Sequence, residues 1–418
     1  MAKRKNEILT AVEIGSHNIK VLLGEFQEDD VLSVVGSAEE LSLKVQKGNL
    51  LDAGIVREQL MKALAAAEKQ AGEEIGHVFL TVSGGTVKSL TSTGSAVIHS
   101  PEKRITEEDV ITALENARAY TLSPDQMVLH HMDRRHLVDG GREVPNPVGQ
   151  VGSRLESEIQ VMYGRRNSIQ TLCGLLNEVL GYPATDITFS GLSSGFGVLS
   201  TEEMESGAMI IDIGAGVTEY AVFHGAGVYQ TGQVTVGTEH IVNDLSLGLH
   251  LPMPKSRALI RDLDKHGGSA NVNSGNIGRY IEVEALGRET RRVPLASVEQ
   301  IIELRLKELL EVIKKKVNSE AALTRVNEGI FLTGGGAMIP GINALAQRVF
   351  EVPVETGRPR LLSGQPDILT SPRYATVAGV LRWGQMSLQI ADSGPLLREQ
   401  LKDDFVRFLQ ALKQAFKW

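Results

Sequence analysis

At 418 residues the chain exceeds what one ordinary core organises, so about two to four domains or subdomains are expected. Its 42% hydrophobic and 22% charged content is that of a globular protein, and a net charge of −8 argues against nucleic acid as the main partner. The one cysteine, Cys173, excludes an internal disulfide framework and suits a reducing cytosol, MAKRKNEIL at the amino end lacks the apolar segment of a secretory signal, and no window approaches ~18 uninterrupted apolar residues.

In chain order, residues 11–26, AVEIGSHNIKVLLGEF, give a strand, an acid (Glu13), a glycine turn (Gly15-Ser16) and a second strand, and 31–45 continue as strand. Residues 55–71 carry Ile55, Leu60, Leu64 and Ala67 at helical spacing, and 78–82 (VFLTV) predict a short buried strand. Residues 83–165 change character. An alternating stretch, a helix over 105–122 with an N-cap near Thr106, and strands at 127–138 and 154–163 make a compact α+β insertion. It has no acid-glycine hairpin and reads as an interaction module. Its His130, His131 and His136 invite a zinc reading, but an extended run puts His130 and His131 on opposite faces, so a strand and its turn explain them better.

A helix is expected over 169–180, with Cys173 in its apolar run, and then a strand running into a small-residue helix over 187–199. Residues 209–223, MIIDIGAGVTEYAVF, repeat the first pattern: strand, Asp212, the turn Gly214-Ala215-Gly216, and a strand resuming at Thr218, Tyr220 and Val222. A turn with so little side chain leaves backbone N–H groups open to phosphate oxygens, and Asp212 beside it could hold Mg²⁺ directly or through water. One such hairpin is also what an ordinary bend looks like. Two of them, ~200 residues apart, suggest two similar halves facing one ligand.

Residues 228–236 pair with that hairpin, and Gly237-Thr238-Glu239 lead into a helix over 240–247. A smaller insertion at 252–296 holds a helix at 254–265, a Gly/Ser/Asn loop and short strands. A long helix at 297–320 presents Lys314, Lys315 and Lys316 as a solvated face. In 329–341, GIFLTGGGAMIPG, a buried strand ends in three glycines whose exposed backbone could carry the flat face or ribose of a nucleotide. Residues 374–383 predict a second small-residue helix, and a close crossing with the one at 191–199 would make a hinge. Residues 391–397 break structure. In 397–418, Leu397, Leu401, Phe405, Phe408, Leu409, Leu412, Phe416 and Trp418 fall on one helical face, with Arg407, Lys413 and Lys417 opposite, the pattern of an in-plane membrane helix.

AVEIGSHNIKVLLGE, ITFSGLSSGFGVL, MIIDIGAGVTEYAVF, IFLTGGGAMIPG and YATVAGVLRWG are similar, in order and spacing, to the five motifs of the actin, heat-shock-chaperone and sugar-kinase ATPases. Within that group the chain resembles the FtsA family of bacterial cell-division proteins over essentially its whole length. The resemblance implies an α/β, actin-like (ribonuclease H-like) two-lobed ATPase fold with an FtsA-type inserted α+β subdomain. Subdomain IA would comprise 1–82, 166–206 and 370–390; IC 83–165; IIA 207–241 and 297–369; IIB 242–296. A linker at 391–397 and a membrane-targeting helix at 398–418 would follow. It further implies ATP with Mg²⁺, polymerisation with copies of itself, the tubulin-like FtsZ (through its C-terminal tail) and later division proteins as partners, and a cytoplasmic, peripheral location on the membrane at the division site.

By the same resemblance Gly15, Ser16, His17, Asn18 and Lys20 match the first phosphate turn, and Gly214, Ala215, Gly216 and Thr218 the second, with Gly237 also expected to bind the nucleotide. Gly334, Gly335, Gly336 and Met338 match the adenosine loop. Asp212 and Glu13 match the metal-water acids, although Glu13 stands where actins usually have aspartate. Arg288, Arg291 and Arg292 match a basic FtsZ-facing loop, where a plain solvated loop is the other reading. The helix at 254–265 lacks a clear Lys-Glu pair for the adenine. Hydrolysis in this superfamily needs a residue in the 187–199 segment to orient water, commonly Gln or Glu. Only Ser190, Ser193 and Ser194 are available there, so tight ATP binding with slow or negligible turnover is expected. The alternatives are a PilM-type actin-like protein of type IV pilus assembly, a small-molecule kinase and a chaperone ATPase. The last two lack, respectively, a substrate-facing carboxylate and a following substrate domain.

Overall fold

The computed structural model describes residues 7–27, 31–85, 87–225, 227–270, 278–284, 290–319 and 321–392. The segment 397–418 and Arg288 lie outside them, and so do the membrane-helix and part of the basic-loop expectations.

Two sheets of the same construction form the two lobes. In the first, strands Ile8–Ile14 and Asn18–Phe26 pair antiparallel, with Leu32–Leu41 beyond the second strand and His77–Val82 running parallel to the first. Asp186–Phe189 and Leu362–Gly364 complete the six strands at the edges. In the second, Ala208–Ile213 and Thr218–His224 form the hairpin, Gly227–Val234 extends it, and Ile330–Thr333 and Val354–Thr356 run parallel. Both central strands of each lobe are buried on both faces, which is what layers on either side of a sheet impose.

Helix Ala53–Ala71 shows how local sequence sets an element. Asp52 caps it by accepting from Ile55 N at 3.1 Å, and Gly72 ends it in the left-handed conformation at φ 72°. Val56, Leu60, Ala63, Leu64 and Ala67 make its buried face. Gly36 on the neighbouring strand lets it approach, because a Cβ there would lie 2.5 Å from Ala67 O.

Between strand His77–Val82 and helix Arg166–Leu180 lies the expected α+β insertion. It is a four-stranded antiparallel sheet in the order Lys88–Val97, Arg154–Arg165, Gln126–Val138, Arg142–Val144. Helix Glu107–Ala117 packs on it and starts from a capping box of Thr106 and Asp109. The helix is shorter than the 105–122 expected: its buried face ends at Ala117, and Tyr120 turns back to bond His131 at 2.6 Å. The insertion also leans on the second lobe. Arg134 Nε donates to Tyr229 O at 2.8 Å, and Arg325 pairs with Glu143 at 2.8 Å.

Helices Ser190–Val198 and Ala375–Asp392 cross at backbone contact between the lobes. A Cβ on Gly379 would lie 1.6 Å from Ser193 O, and one on Gly197 2.1 Å from Ala375 O. The buried Arg382 donates to Phe196 O and Leu199 O, satisfying carbonyls at the end of the shorter helix. The longer helix runs through Ala391 and Asp392, where a break is expected; the rest of that expected break lies outside the described residues. It carries Val377, Ala378, Val380, Leu381 and Trp383 into the first lobe's core. No helix among the described residues is long and apolar enough to cross a membrane.

Lys314 departs from the solvated face expected of it. Its Nζ donates to Val349 O at 2.6 Å and pairs with Glu351 at 3.2 Å, tying the long helix Leu295–Asn318 to the end of helix Ile342–Phe350. Lys315 and Lys316 are exposed. Arg291 and Arg292 stand not in a loop but on strand Thr290–Pro294, paired with Tyr280–Glu284. There they are exposed, and Arg292 meets Glu282 at 3.2 Å.

Candidate functional site

The two acid-glycine hairpins end at a common cleft of about 400 Å³ between the lobes, within the range of small-molecule sites. Their turns are built alike: Gly15 N donates to Asn18 O at 3.0 Å, and Gly214 N to Val217 O at 3.0 Å. They face each other closely, since a Cβ on Gly216 would lie 2.7 Å from Ser16 Oγ. Glu13, Gly15, Ser16, His17, Asn18, Lys20, Asp212, Gly214, Ala215 and Gly216 all line this cleft. Gly334, Gly335 and Met338 line it from the third glycine segment.

Three of the expected residues stand behind the wall. Thr218 is fully buried and donates to Val236 O at 2.8 Å. Gly237 packs under the second turn, where a Cβ would meet Ala215 O at 2.4 Å, and Gly336 packs on Ile213. They fix the shape of the loops without facing the space. Gly334 has a sharper constraint: at φ 79° it is left-handed, and a Cβ would fall 2.1 Å from Asp212 Oδ1.

Acid groups dominate the floor. Glu13 and Lys20 sit opposite each other in the ladder and pair at 3.1 Å. Burial raises the Glu13 carboxyl above its ordinary range, against the pull of Lys20. Burial likewise raises Asp212, although Thr376 Oγ1 donates to its Oδ2. A third acid, Glu219, lies opposite Asp212 across the second hairpin and is 4% exposed. Its Oε1 accepts from Gly84 N at 3.0 Å and its Oε2 from Ser190 Oγ. Burial pushes its pKa up to about 8, with Asp212 and Glu13 adding to the rise. Lys20 thus offsets Glu13 directly and Asp212 at longer range.

Sequence reasoning passed over Glu219, Thr376, Ser83, Glu239, Arg257 and Arg373, all of which line the cleft. The helix expected at 254–265 runs Met253–Arg261, and it does supply a charged partner at the end of the cleft that it lines. Arg257 grips Glu239 of helix Thr238–Leu249 with contacts of 2.8–3.1 Å. Val242, Ile260, Met338 and Ile339 give that end an apolar lining. Of the three serines considered for holding water, only Ser190 faces the cleft. Ser193 bonds Thr188 Oγ1 and Phe189 O at 3.2 Å, and Ser194 bonds Gly191 O at 3.1 Å.

The histidines of the insertion have separate surroundings. His130 accepts from Phe189 N at 3.0 Å, His131 meets Tyr120, and His136 is 2.9 Å from Ser157 Oγ. Burial lowers the pKa of His136 to about 4. Among the described residues no three His, Cys, Asp or Glu side chains are grouped to hold a metal by themselves.

Comparison with known proteins adds the lineage. A family described as "Cell division protein FtsA" matches residues 209–379, and "SHS2 domain inserted in FTSA" matches 84–163. The "Cell division protein FtsA" of Neisseria meningitidis serogroup B is 29% identical over 381 residues, covering 91% of this chain and 90% of that protein. Among solved structures, the PilM-PilN type IV pilus biogenesis complex superposes with a TM-score of 0.62 at 14% identity, over 91% of this chain and 98% of the other. MreB 5 of Spiroplasma citri bound to AMPPNP gives 0.55 at 11% identity, over 94% and 100%. These structural likenesses establish an actin-like ATPase fold carrying the inserted subdomain.

Proposed function

The chain belongs to the FtsA family of cell-division proteins, and from that premise we propose that it grips Mg-ATP between its lobes, assembles with copies of itself and holds FtsZ filaments against the cytoplasmic membrane. The observation that carries this reading is the pair of matched glycine turns meeting over one cleft, Gly216 against Ser16. Their backbone N–H groups suit phosphate oxygens, and the end lined by Val242, Ile260, Met338 and Ile339 suits a base.

The acid floor fits a cation. Polyphosphate entering here meets the acids Glu13 and Asp212, with Lys20 paired to Glu13, so Mg²⁺ would enter with it. Asp212 and Glu13 would hold the ion through water, as Mg²⁺ usually keeps several waters, and the ion would neutralise phosphate charge. In this reading 1–82, 166–206 and 370–390 form subdomain IA, 83–165 IC, 207–241 and 297–369 IIA, and 242–296 IIB. ATP stabilises the closed arrangement of the lobes by its higher affinity for it. The helix over 398–418, with the linker 391–397, attaches the polymer to the bilayer, and Arg288, Arg291 and Arg292 are the first residues to test for contact with the FtsZ C-terminal tail. Later division proteins would meet the assembled polymer.

Co-sedimentation of the full chain with FtsZ and anionic vesicles tests the reading. FtsZ is expected in the vesicle pellet only when the chain is present, and more of it with Mg-ATP than without nucleotide. FtsZ left in the supernatant while the chain itself pellets would contradict it and return the pilus-type alternative.

A further inference from the structure

Resting on the Mg-ATP reading above, we infer that the α+β insertion straps the two lobes together, and that Arg134, Glu143 and Arg325 are positioning residues for the nucleotide that act through this strap. The insertion is built on the first lobe, where the chain enters and leaves it and where His130 accepts from Phe189 N at 3.0 Å. Its other side faces strand Gly227–Val234, the edge of the second lobe's sheet. An edge strand leaves a row of backbone groups without a ladder partner. Here Arg134 Nε donates to Tyr229 O at 2.8 Å and Ser89 Oγ to Thr231 O at 2.7 Å, two alternate carbonyls of that strand. Gly227 lets the chains approach, since a Cβ there would lie 2.0 Å from Asp133 O.

The contact is of a kind that can part. These bonds are given by side chains, and no strand ladder joins the two sheets. Arg325 of the second lobe pairs with Glu143 through both terminal nitrogens, at 2.8 and 3.0 Å. The ring of Tyr229 meets two cations, with the Arg134 guanidinium 4.3 Å from its centre and that of Arg325 5.2 Å. Each partner of the ion pair has a second neighbour on its own side. Arg135 lies 3.7 Å from Glu143 in the insertion, and His224 lies 3.3 Å from Arg325 in the second lobe. Parting therefore strands neither charge, and Arg134 stays mounted on Glu158 at 2.6 Å. With side chains 27% and 31% exposed, the Arg325–Glu143 pair is of modest strength, enough to bias the lobes without locking them.

The strap is continuous with the cleft on both sides. Strand Gly227–Val234 runs on into the residues behind the second glycine turn, where Thr218 Oγ1 donates to Val236 O at 2.8 Å and Gly237 packs under Ala215 O. The insertion starts beside Ser83, which lines the cleft, and Gln233 Nε2 donates to Gly85 O at 3.3 Å. The strap is made in the arrangement that brings Gly216 against Ser16. A contact made when the turns meet and lost when they separate favours closure, and so tightens the binding of a ligand that prefers the closed form. The linkage is reciprocal, so bound nucleotide holds the insertion on the second lobe.

Glu143→Ala and Arg325→Ala test the strap from outside the cleft, which neither residue lines. In calorimetry of the full chain each should weaken Mg-ATP binding about three- to tenfold, chiefly through faster release. The double variant should cost no more than the worse single one, because the two residues share one contact. Melting of the nucleotide-free chain should move by less than about 4 °C, the effect of losing one partly exposed ion pair. A merely structural role would lower melting and leave the affinity alone. In the parent, Mg-ATP should slow amide hydrogen exchange over 227–234, and the slowing should shrink in both variants, as reciprocity requires. Variants that bind Mg-ATP with the parent's affinity overturn the inference, and so does additive loss in the double variant. A parent chain that binds no Mg-ATP defeats the nucleotide reading itself, and the strap's role with it.

Discussion

Removing residues 397–418 is expected to move the protein from the vesicle pellet to the supernatant while its ATP affinity stays within about twofold. At helical spacing Leu397, Leu401, Phe405, Phe408, Leu409, Leu412, Phe416 and Trp418 would share one face, and Arg407, Lys413 and Lys417 the other. An apolar side chain fully transferred from water contributes roughly 1.5–3 kcal/mol, and a helix lying in the interface transfers part of each. Against this stands the cost of ordering a helix, on the order of 1 kcal/mol per residue. One copy is therefore a weak anchor, and several copies on one filament bind far better, because each later attachment is intramolecular. The loss on deletion should accordingly be near complete, and Phe405→Glu with Phe408→Glu should reproduce most of it. The cleft residues lie outside 397–418, so nucleotide binding should be untouched. Sedimentation retained after deletion would refute the anchor.

Gly379→Ala should be among the most damaging single substitutions in the body. The added Cβ would fall 1.6 Å from Ser193 O, 2.5 Å from Ser193 C and 2.8 Å from Gly197 N, all backbone atoms that no rotamer change can clear. The two crossing helices must part. Overpacking a core costs typically 1–3 kcal/mol, and a backbone collision belongs at or above the top of that range. At roughly 2–4 °C per kcal/mol for domains of this size, melting should fall by about 6–12 °C. The damage reaches the cleft, because the parted helices carry Thr376, which holds Asp212, and Ser190, which bonds Glu219. ATP affinity should drop by about tenfold or more. Gly174→Ala supplies the contrast: it lies in helix Arg166–Leu180 with nothing within 4 Å of the new atom, and should stabilise by roughly 0.5–1 kcal/mol. Equal melting temperatures for the two variants would contradict this account of the crossing.

The hairpins were readable because everything that makes them is local: alternation, one acid and a glycine turn. The pairing of two lobes followed from seeing the pattern twice. What local pattern could not give is the direction each residue faces once the lobes close. Thr218, Gly237 and Gly336 belong to the same loops as the lining residues, yet they support the turns from behind. Glu219 was passed over for the converse reason. In the strand TEYAVFH, alternation assigns Thr218, Tyr220 and Val222 to the core and Glu219 to solvent, as on a sheet with one wet face. The strand is buried on both faces, and its second face meets Ser190 and Gly84 from the other lobe. Thr376 was hidden similarly, as one small residue in a helix of small residues. Arg257 became a cleft residue only when Glu239, 18 positions away, took hold of it. The signal that could have found Glu219 is its place directly after the second turn, opposite Asp212 in the ladder.

Titration of the full chain with ATP in a calorimeter, with and without Mg²⁺, tests the central claim most directly. One site per chain is expected, with a dissociation constant in the micromolar range or tighter. Affinity should fall at least tenfold without Mg²⁺, because the phosphates then face Glu13 and Asp212 unshielded. Gly216→Val should weaken binding at least tenfold, since its Cβ would lie 3.1 Å from Ser16 Cβ and 3.2 Å from Lys47 N, contacts that no serine rotamer clears, and its added methyls would prop the two turns apart. No heat at millimolar Mg-ATP, or equal binding by the parent and Gly216→Val, would contradict the account.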